Sequence, residues 1–245
     1  MKIGIISGAS SGIGKAIAKE LDSLGLDELW LIARSEERLN SAAKNIKTTT
    51  RCIPLDLTEI SSFDYLNSLL SCGKYSVEYL VGSCGVGYTG ELASNSSQQI
   101  SNTIDLNCRG LTLLISTVLP YICSNGKIIN IASAAGFLPQ ADFAVYAASK
   151  SYVISLSKAI RQELKPKRIS VCAVCPGPVD TDFFANLENV KEYKKKYLIT
   201  PEKVASGAMK AIKKNKAIFT PTLSIKLLHL CSKLIPSSLL FKFAK

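Results

Sequence analysis

Long apolar stretches are missing from this sequence of 245 residues. No run of about 18 uncharged apolar residues occurs, so we expect no helix that spans a membrane. The N-terminus, MKIGIISGAS, reaches glycine after too few apolar residues to be the hydrophobic region of a secretory signal. The apolar fraction of 47% nevertheless excludes a disordered chain, and this length is sufficient for a sizeable hydrophobic core.

Histidine is nearly absent, and the positions of the cysteines do not indicate a disulfide framework. The one histidine, His229, lies near the C-terminus, and we assign it no catalytic role. The 8 cysteines are scattered along the chain, which favours reduced thiols in a cytoplasm. Cys172 and Cys175 form a CxxC pair, but no second pair accompanies them, and positions three apart on a strand face opposite ways. We therefore predict no metal site.

Acidic residues are missing from the C-terminal fifth of the chain. None follows Glu202, whereas nine lysines do, so this segment carries most of the net charge of +11. Residues 1–202 carry 21 basic against 19 acidic side chains. A nearly neutral body with a basic tail lacks the charge distribution of a nucleic-acid-binding domain, and we expect no nucleic-acid partner.

Short apolar runs alternate with helical patterns from the first residue onward. The predicted strands cover 3–7, 29–33, 51–55, 79–82, 127–131 and 169–174. The predicted helices cover 13–24, 59–71, 96–119, 146–164 and 201–214, and another begins at Ser35. The strands show little polar alternation, as is typical of strands covered on both faces. The pattern predicts an α/β fold: a single doubly wound Rossmann-like domain over residues 1–245, with a parallel sheet and an additional C-terminal apolar helix.

Glycines mark the junction between the first strand and the first helix, in the segment SGASSGIG. Glycine there lets the backbone approach a pyrophosphate, which the free N–H groups of the helix N-terminus attract. A tight strand-to-helix turn also needs glycine, but the position directly after the first strand favours dinucleotide binding. The candidate ligands are Gly8, Ser10, Ser11, Gly12, Ile13 and Gly14.

The end of the second strand indicates which dinucleotide is bound. An acidic residue there would bond the adenosine ribose, whereas a basic residue accommodates a 2′-phosphate. The strand is followed by Arg34 with no acid before it, so we predict NADP(H), with Ser10 or Ser35 near the phosphate. A solvated surface arginine is the alternative. Asp56, at the end of the third strand, is placed either to bond the adenine amine or to cap the next helix.

Tyr146 and Lys150 lie four residues apart, which places a phenol and an ammonium on one face of a helix. Ser133 comes 13 residues before the tyrosine, just past a buried strand, and Asn107 lies inside the preceding long helix. A phenol with a pKa of about 10 needs a nearby cation to act near neutral pH. These four residues are the candidates for a proton-transfer site.

In this order, the segments resemble the short-chain dehydrogenase/reductase family, in its NADP-preferring type, over a core of residues 1–185. The resemblance implies that Tyr146 donates and accepts the proton, that Lys150 holds the nicotinamide ribose and lowers the tyrosine pKa, and that Ser133 binds the substrate oxygen. Asn107 would hold a water that links Lys150 to solvent. Further cofactor contacts are implied at Gly85, Pro176, Gly177, Val179 and Thr181.

Two segments depart from the family's pattern. After the fourth strand the family usually has NNAG, whereas this chain has Gly82-Ser83-Cys84-Gly85, so the asparagine that ties neighbouring strands is missing. The chain also ends in a basic apolar tail, residues 221–245, where many members have a glycine-rich strand and a short acidic-glycine tail that helps to build a tetramer. The tail is similar to that of the lipid- and steroid-type branch of the family.

Six apolar side chains flank the predicted catalytic residues: Phe137, Leu138, Phe143, Phe183, Phe184 and Leu187. They predict an apolar cleft under a substrate loop over residues 180–200, although the same residues also suit ordinary packing. We expect an oxidoreductase that acts on a small apolar ketone or secondary alcohol. The alternatives are a 3-oxoacyl-thioester reductase, whose lysines would meet an acidic carrier protein, and a non-catalytic NADP-binding sensor or adaptor.

Four leucines recur with helical spacing in the tail: Leu223, Leu227, Leu230 and Leu234. Lys226 and Lys233 flank them, and Pro236 ends the pattern. Two interpretations are open: the helix packs on the substrate cleft or on the partner in a homodimer, or it lies in the interface of an anionic membrane. The stretch is too short to span a bilayer. We expect a cytoplasmic homodimer, which in the second interpretation is peripheral to a membrane.

Overall fold

Seven parallel strands form one sheet in the computed structural model, with helices on both of its faces. The structure describes residues 1–185, 187 and 198–234. The order of strands across the sheet is β3-β2-β1-β4-β5-β6-β7. The strands are β1 (Lys2–Ser7), β2 (Glu28–Ala33), β3 (Thr49–Pro54), β4 (Ser76–Gly82), β5 (Ile122–Ile131), β6 (Ser170–Val174) and β7 (Ile218–Phe219). This topology confirms the predicted doubly wound α/β fold.

The described part of the chain contains nine α-helices. They are α1 (Gly12–Leu21), α2 (Glu36–Ala43), α3 (Ile60–Ser71), α4 (Ser97–Ile104), α5 (Leu111–Val118), α6 (Ala144–Glu163), α7 (Asp182–Ala185), α8 (Pro201–Lys213) and α9 (Leu223–Leu234). The single helix predicted over 96–119 is interrupted, because a π-helix, Asp105–Gly110, joins α4 to α5. The buried Asn107 lies in this wider turn, where its amide is held by three hydrogen bonds.

Alternate side chains of β1 enter two hydrophobic cores. Ile3 and Ile5 pack with residues of α3, α5 and α6 on one face of the sheet. Ile6 packs with α1, α2 and α8 on the other face. Since both faces are covered, the strands need no polar alternation, which explains why the sequence shows so little of it. The two layers fix the sheet and leave its carboxyl edge open for a site.

The CxxC pair divides between these two cores. Cys172 belongs to the core that contains Ile6, and Cys175 to the core that contains Ile3. Burial raises the pKa of the Cys172 thiol to about 12 and also raises that of Cys175. The opposite orientation predicted for the two thiols is confirmed, and both are held in their unreactive protonated form.

The neighbours β1 and β4 mark the point where the order of strands reverses, and ligands of such sheets bind at the carboxyl ends of the strands there. The buried Ser7 hydroxyl ties these two ends together. Its Oγ accepts a hydrogen bond from the Ser83 amide at 3.1 Å and donates one to the Val81 carbonyl at 3.2 Å. A serine therefore makes a link between strands in the region where the family's asparagine is missing.

Gly82, the last residue of β4, lies close to two side chains of neighbouring elements. A Cβ atom at this position would lie 2.3 Å from Leu111 Cδ1 and 3.1 Å from Asn130 Oδ1. Asn130 Nδ2 donates to Ser157 Oγ at 2.9 Å, whereas its buried Oδ1 finds no hydrogen-bond partner within the described residues. Leu111 thus fills the space that a larger residue at position 82 would require.

Candidate functional site

The Gly-rich turn brings the N-terminus of α1 to the carboxyl edge of the sheet. Gly8 has a φ of +66°, and a Cβ at Gly14 would lie 2.2 Å from the Gly8 carbonyl oxygen, so α1 begins in close contact with the turn. Ser11 is the N-cap but makes no capping hydrogen bond with its side chain, and the first turn holds no acidic residue. The first N–H groups of α1 therefore remain available to an anion, which fits the pyrophosphate of a dinucleotide.

Arg34 and Ser35 follow β2 at the predicted adenosine end of this site. Arg34 is exposed, and across the described ranges its guanidinium has no hydrogen-bond or ion-pair partner. Ser35 caps α2 by accepting a hydrogen bond from the Arg38 amide at 3.2 Å. An exposed arginine beside a capped helix start fits a 2′-phosphate, and the contact itself stays a prediction.

Asp56 shapes the turn that leads into α3. Its Oδ1 accepts hydrogen bonds from the Thr58 amide at 2.9 Å and from the Thr58 hydroxyl at 2.8 Å. The N-cap of α3 is Glu59, so the interpretation of Asp56 as that cap is wrong. The hydrogen bonds hold the carboxylate at the end of β3, and its contact with an adenine amine stays a prediction.

Tyr146 lies in the first turn of α6, buried among aromatic side chains. Its ring stacks on Phe143, with 4.3 Å between the ring centroids, and lies 5.4 Å from Phe183. Burial raises the pKa of the phenol to about 12, and a side-chain hydrogen bond with Ser133 acts to lower it. The structure therefore brings together the predicted proton donor, the predicted substrate ligand and two of the predicted apolar residues.

Lys150 lies one helical turn after Tyr146 and is buried. Its Nζ donates to the Ile131 carbonyl at 2.9 Å and lies 5.6 Å from the centroid of the Tyr146 ring. Burial lowers the pKa of the ammonium to about 8. The expected lowering of the tyrosine pKa by Lys150 is not seen in this structure, because burial raises that pKa and the side chain that acts to lower it is Ser133.

Asn107 cross-links the segment after β4 to α6. Its Oδ1 accepts from the Val86 amide at 2.9 Å, and its Nδ2 donates to the Val86 carbonyl at 2.8 Å and to Ser149 Oγ at 2.9 Å. The Gly85 backbone lies against both functional groups, since a Cβ there would be 3.1 Å from Lys150 Nζ and 3.3 Å from Asn107 Oδ1. Asn107 thus positions the helix that carries Lys150, and its water contact stays a prediction.

The segment after β6 lies between the turn that follows Ser133 and the Gly-rich turn. The Pro176 carbonyl accepts from the Ala134 amide at 2.8 Å, and Val179 pairs with Ile199 in an isolated parallel bridge. Thr181 lies against the Gly-rich turn, because a Cβ at Gly12 would be 3.0 Å from its Cγ2. Of the predicted substrate loop, residues 186 and 188–197 lie outside the described residues.

Three contacts of the site were not predicted from the sequence. Arg38 forms an ion pair with Asp182, which links α2 to α7. Ser149 accepts the hydrogen bond from Asn107, and its position beside Lys150 on a buried helix face was the available signal. His229 lies against Phe137, with 4.2 Å between the ring centroids, so its role is packing.

The buried Lys150 gives a prediction for stability against pH. Its folded pKa of about 8 lies below the ordinary value of 10.5, so between these values the folded chain binds fewer protons than the unfolded chain. Lys150 therefore contributes a rise in the free energy of unfolding of ~2 kcal/mol from about pH 8 to about pH 10. Tyr146, Cys172 and Cys175 act in the opposite direction, because the folded pKa of each is raised, so the contribution of Lys150 is measured as a difference between variant and wild type.

Urea unfolding of Lys150→Met at both pH values checks this expectation. The variant keeps a long side chain without the amine, so between the two pH values its free energy of unfolding should change by ~2 kcal/mol less favourably than that of the wild type. Lys158→Met, which changes an exposed lysine on the same helix, is the matched control and should show the pH dependence of the wild type. The same pH dependence in both variants would contradict the assignment.

Known proteins share this fold and this arrangement of segments. The family model for short chain dehydrogenase matches residues 2–192. An uncharacterized oxidoreductase of Staphylococcus epidermidis is 33% identical over 182 residues, which cover 74% of this chain and 79% of the relative.

Solved structures extend the similarity to nearly the whole chain. A short-chain dehydrogenase from Sphingobium yanoikuyae in complex with NADPH has a TM-score of 0.82 at 24% identity, and the match covers 96% of this chain and 94% of that one. A bulky-bulky ketone specific alcohol dehydrogenase from Comamonas testosteroni has a TM-score of 0.77 at 25% identity, with the same coverage of both chains.

Proposed function

Because the chain belongs to the short-chain dehydrogenase family, we propose that it is an oxidoreductase that transfers a hydride between NADP(H) and an apolar ketone or secondary alcohol. One observation carries this proposal. The buried phenol of Tyr146 lies close enough to Ser133 for that side chain to lower its pKa, and Lys150 lies one helical turn away, at the edge of the sheet that holds the Gly-rich turn. This arrangement supports the proposal that Tyr146 donates a proton beside a bound nicotinamide.

Each of these residues has a separate role in the reduction of a carbonyl group. The cofactor, when bound, supplies the hydride. The Ser133 hydroxyl holds the substrate oxygen, and Tyr146 donates its phenolic proton to that oxygen as the negative charge develops. With its pKa raised to about 12, the phenol is protonated at neutral pH and ready to donate. The Lys150 ammonium, 5.6 Å from the ring centroid, stabilises the phenolate that remains.

The walls of the site support an apolar substrate. Phe143 and Phe183 both pack against Tyr146, and Ala135 and Ala147 complete the same cluster. Such a lining excludes water and offers few polar partners to a sugar or polyol. The similarity to a ketone-specific alcohol dehydrogenase supports the same class of substrate.

A ketone panel with NADPH tests this function. Oxidation of NADPH, followed by its absorbance, is expected for ketones, and KM should fall as an alkyl chain is lengthened, because each buried Å² contributes roughly 25 cal/mol. Arithmetic on one added CH₂ group gives ~0.8 kcal/mol, or about a fourfold lower KM. A preference for small polyols or charged sugars would overturn the proposed substrate class.

The same panel distinguishes the two alternatives. A 3-oxoacyl-thioester reductase is the second candidate, since the nine lysines after Glu202 would suit an acidic carrier protein. Faster turnover of acyl thioesters than of free ketones would identify it. An NADP-binding sensor would bind the cofactor without any turnover. We also propose a cytoplasmic location, and the homodimer stays a prediction.

A further inference from the structure

One face of α9 is apolar and open to solvent. It is formed by four side chains, here called the leucine face: Leu223, Leu227, Leu230 and Leu234, which are 83%, 61%, 53% and 73% exposed. At 3.6 residues per turn, they lie in one stripe along the helix. A groove of about 460 Å³ is lined by three of these leucines, Lys226, Lys233 and, at its border with the domain, His229. Soluble monomers seldom expose a contiguous apolar patch of this kind, so the face calls for a partner.

The opposite face of α9 holds the helix on the domain, beside the catalytic residues. His229 lies against Phe137, which ends the turn that follows Ser133. Ile225 lies close to Gly177: a Cβ atom added at position 177 would be 3.1 Å from the Cδ1 atom of Ile225. The helix therefore packs beside the site, as the first interpretation expects, but it does so through these residues, and the leucine face stays exposed.

Charge favours an anionic partner. Lys226 and Lys233 lie two turns apart on the same flank of the leucine face, and no acidic residue follows Glu202. Lipid headgroups with negative charge would pair with this flank while the leucines enter the acyl boundary. In a symmetric contact with a second copy, the same lysines would meet each other with no carboxylate on either helix to pair with.

The dimensions of α9 fit a helix that lies on a bilayer. Its 12 residues extend over about 18 Å, whereas a spanning helix needs about 20 residues. Within residues 1–185, 187 and 198–234, no helix has the length and apolar character needed to cross a membrane. Residues 235–245 of the predicted tail, Pro236 among them, lie outside the described residues.

We propose that the leucine face inserts into the surface of an anionic lipid bilayer and that α9 thereby holds the catalytic site against the acyl phase. Because α9 packs on Phe137 and Gly177, the bilayer surface lies next to the site that contains Ser133 and Tyr146. An apolar ketone dissolved in the bilayer then reaches the site without crossing bulk water. This last step rests on the proposed function, whereas the docking itself does not.

Co-sedimentation of the full-length protein with vesicles tests the docking. Binding is expected to vesicles that contain phosphatidylserine, to be much weaker with phosphatidylcholine alone, and to decrease as salt is added. Leu227→Ser/Leu230→Ser removes apolar area from the centre of the face, and Lys226→Glu/Lys233→Glu reverses its charged flank. Each is expected to lower the partition coefficient by about tenfold or more.

Two control variants test whether vesicle binding depends on the leucine face and its lysines in particular. Ile60→Ser/Leu92→Ser removes two large apolar side chains that are 62% and 59% exposed elsewhere, and Lys44→Glu/Lys165→Glu changes two exposed lysines of the body. Both should bind vesicles as the wild type does. No binding at low salt, or equal loss with these controls, would overturn the proposal. So would a dimer in analytical ultracentrifugation that Leu227→Ser/Leu230→Ser dissociates, since the face would then bind a second copy.

Kinetics with vesicles test the route of the substrate. In the presence of phosphatidylserine vesicles, the apparent KM for a long-chain ketone should fall several-fold for the wild type and not for Leu227→Ser/Leu230→Ser. The KM for a short, water-soluble ketone should be the same in both. Equal KM values for the long-chain ketone would overturn the route, whereas vesicle binding without turnover of any ketone would overturn only the proposed function.

Discussion

Replacement of Tyr146 by phenylalanine is expected to lower kcat by about 10²- to 10⁴-fold, the range that a general acid contributes. Phenylalanine keeps the ring contacts with Phe143 and Phe183 but has no proton to transfer. The dissociation constant of NADPH, measured by fluorescence titration, should change little, because the variant retains the packing of the site. A large fall in kcat with intact cofactor binding identifies the phenol as the proton donor.

Tyr152→Phe is the matched control for this experiment. Tyr152 lies on the same helix, is 41% exposed and shares a hydrogen bond of 2.8 Å with Thr112 Oγ1 outside the catalytic site. Its replacement should leave kcat close to the wild-type value. If Tyr146→Phe retained most of its activity, the proposed proton transfer would have to be abandoned.

Replacement of Arg34 by aspartate is expected to reverse the preference between the two nicotinamide cofactors. An arginine that pairs with a phosphate contributes about 1.5–3 kcal/mol, which corresponds to a factor of roughly 10 to 100 in affinity. An aspartate would repel the 2′-phosphate and bond the ribose hydroxyl of NADH instead. Titration of both cofactors against wild type and variant measures the ratio of the two dissociation constants.

Arg38→Gln serves as the comparison, because Arg38 lies one helical turn further on and forms an ion pair with Asp182. This variant should keep the preference for NADPH. Equal affinities of the wild type for NADPH and NADH would contradict the NADP assignment. A loss of preference in Arg38→Gln, with none in Arg34→Asp, would move the phosphate site to Arg38.

The sheet and most helices could be predicted because their patterns are local. The apolar runs gave six of the seven strands, and the order of motifs gave the doubly wound topology. The strand β7 has only two residues, Ile218 and Phe219, so it has no pattern, and its pairing with Ala173 and Val174 becomes visible only in three dimensions. The π-helix was missed because its wider turn depends on contacts of Asn107 with residues far along the chain.

The catalytic residues could be predicted from their spacing, but their environment could not. Tyr146 and Lys150 share a helix face, so their proximity follows from the sequence. The burial that raises the tyrosine pKa involves Phe143 and Phe183, which meet Tyr146 only in the folded chain. For the same reason, the spacing of the leucines predicted the stripe on α9 without showing which side of the helix contacts the domain.

The contact between Gly82 and Leu111 constrains the order in which mutations can accumulate. Asparagine at position 82 would clash with Leu111 Cδ1, which lies 2.3 Å from the site of its Cβ, and such overpacking costs about 1–3 kcal/mol. Truncation of Leu111 to alanine first would leave a cavity and cost about 2–5 kcal/mol. Each single substitution therefore lowers the free energy of unfolding, although both together would bring an amide toward the unpaired Oδ1 of Asn130. Because neither substitution is favourable without the other, we expect descendants of this chain to keep Gly82 and Leu111 as a linked pair.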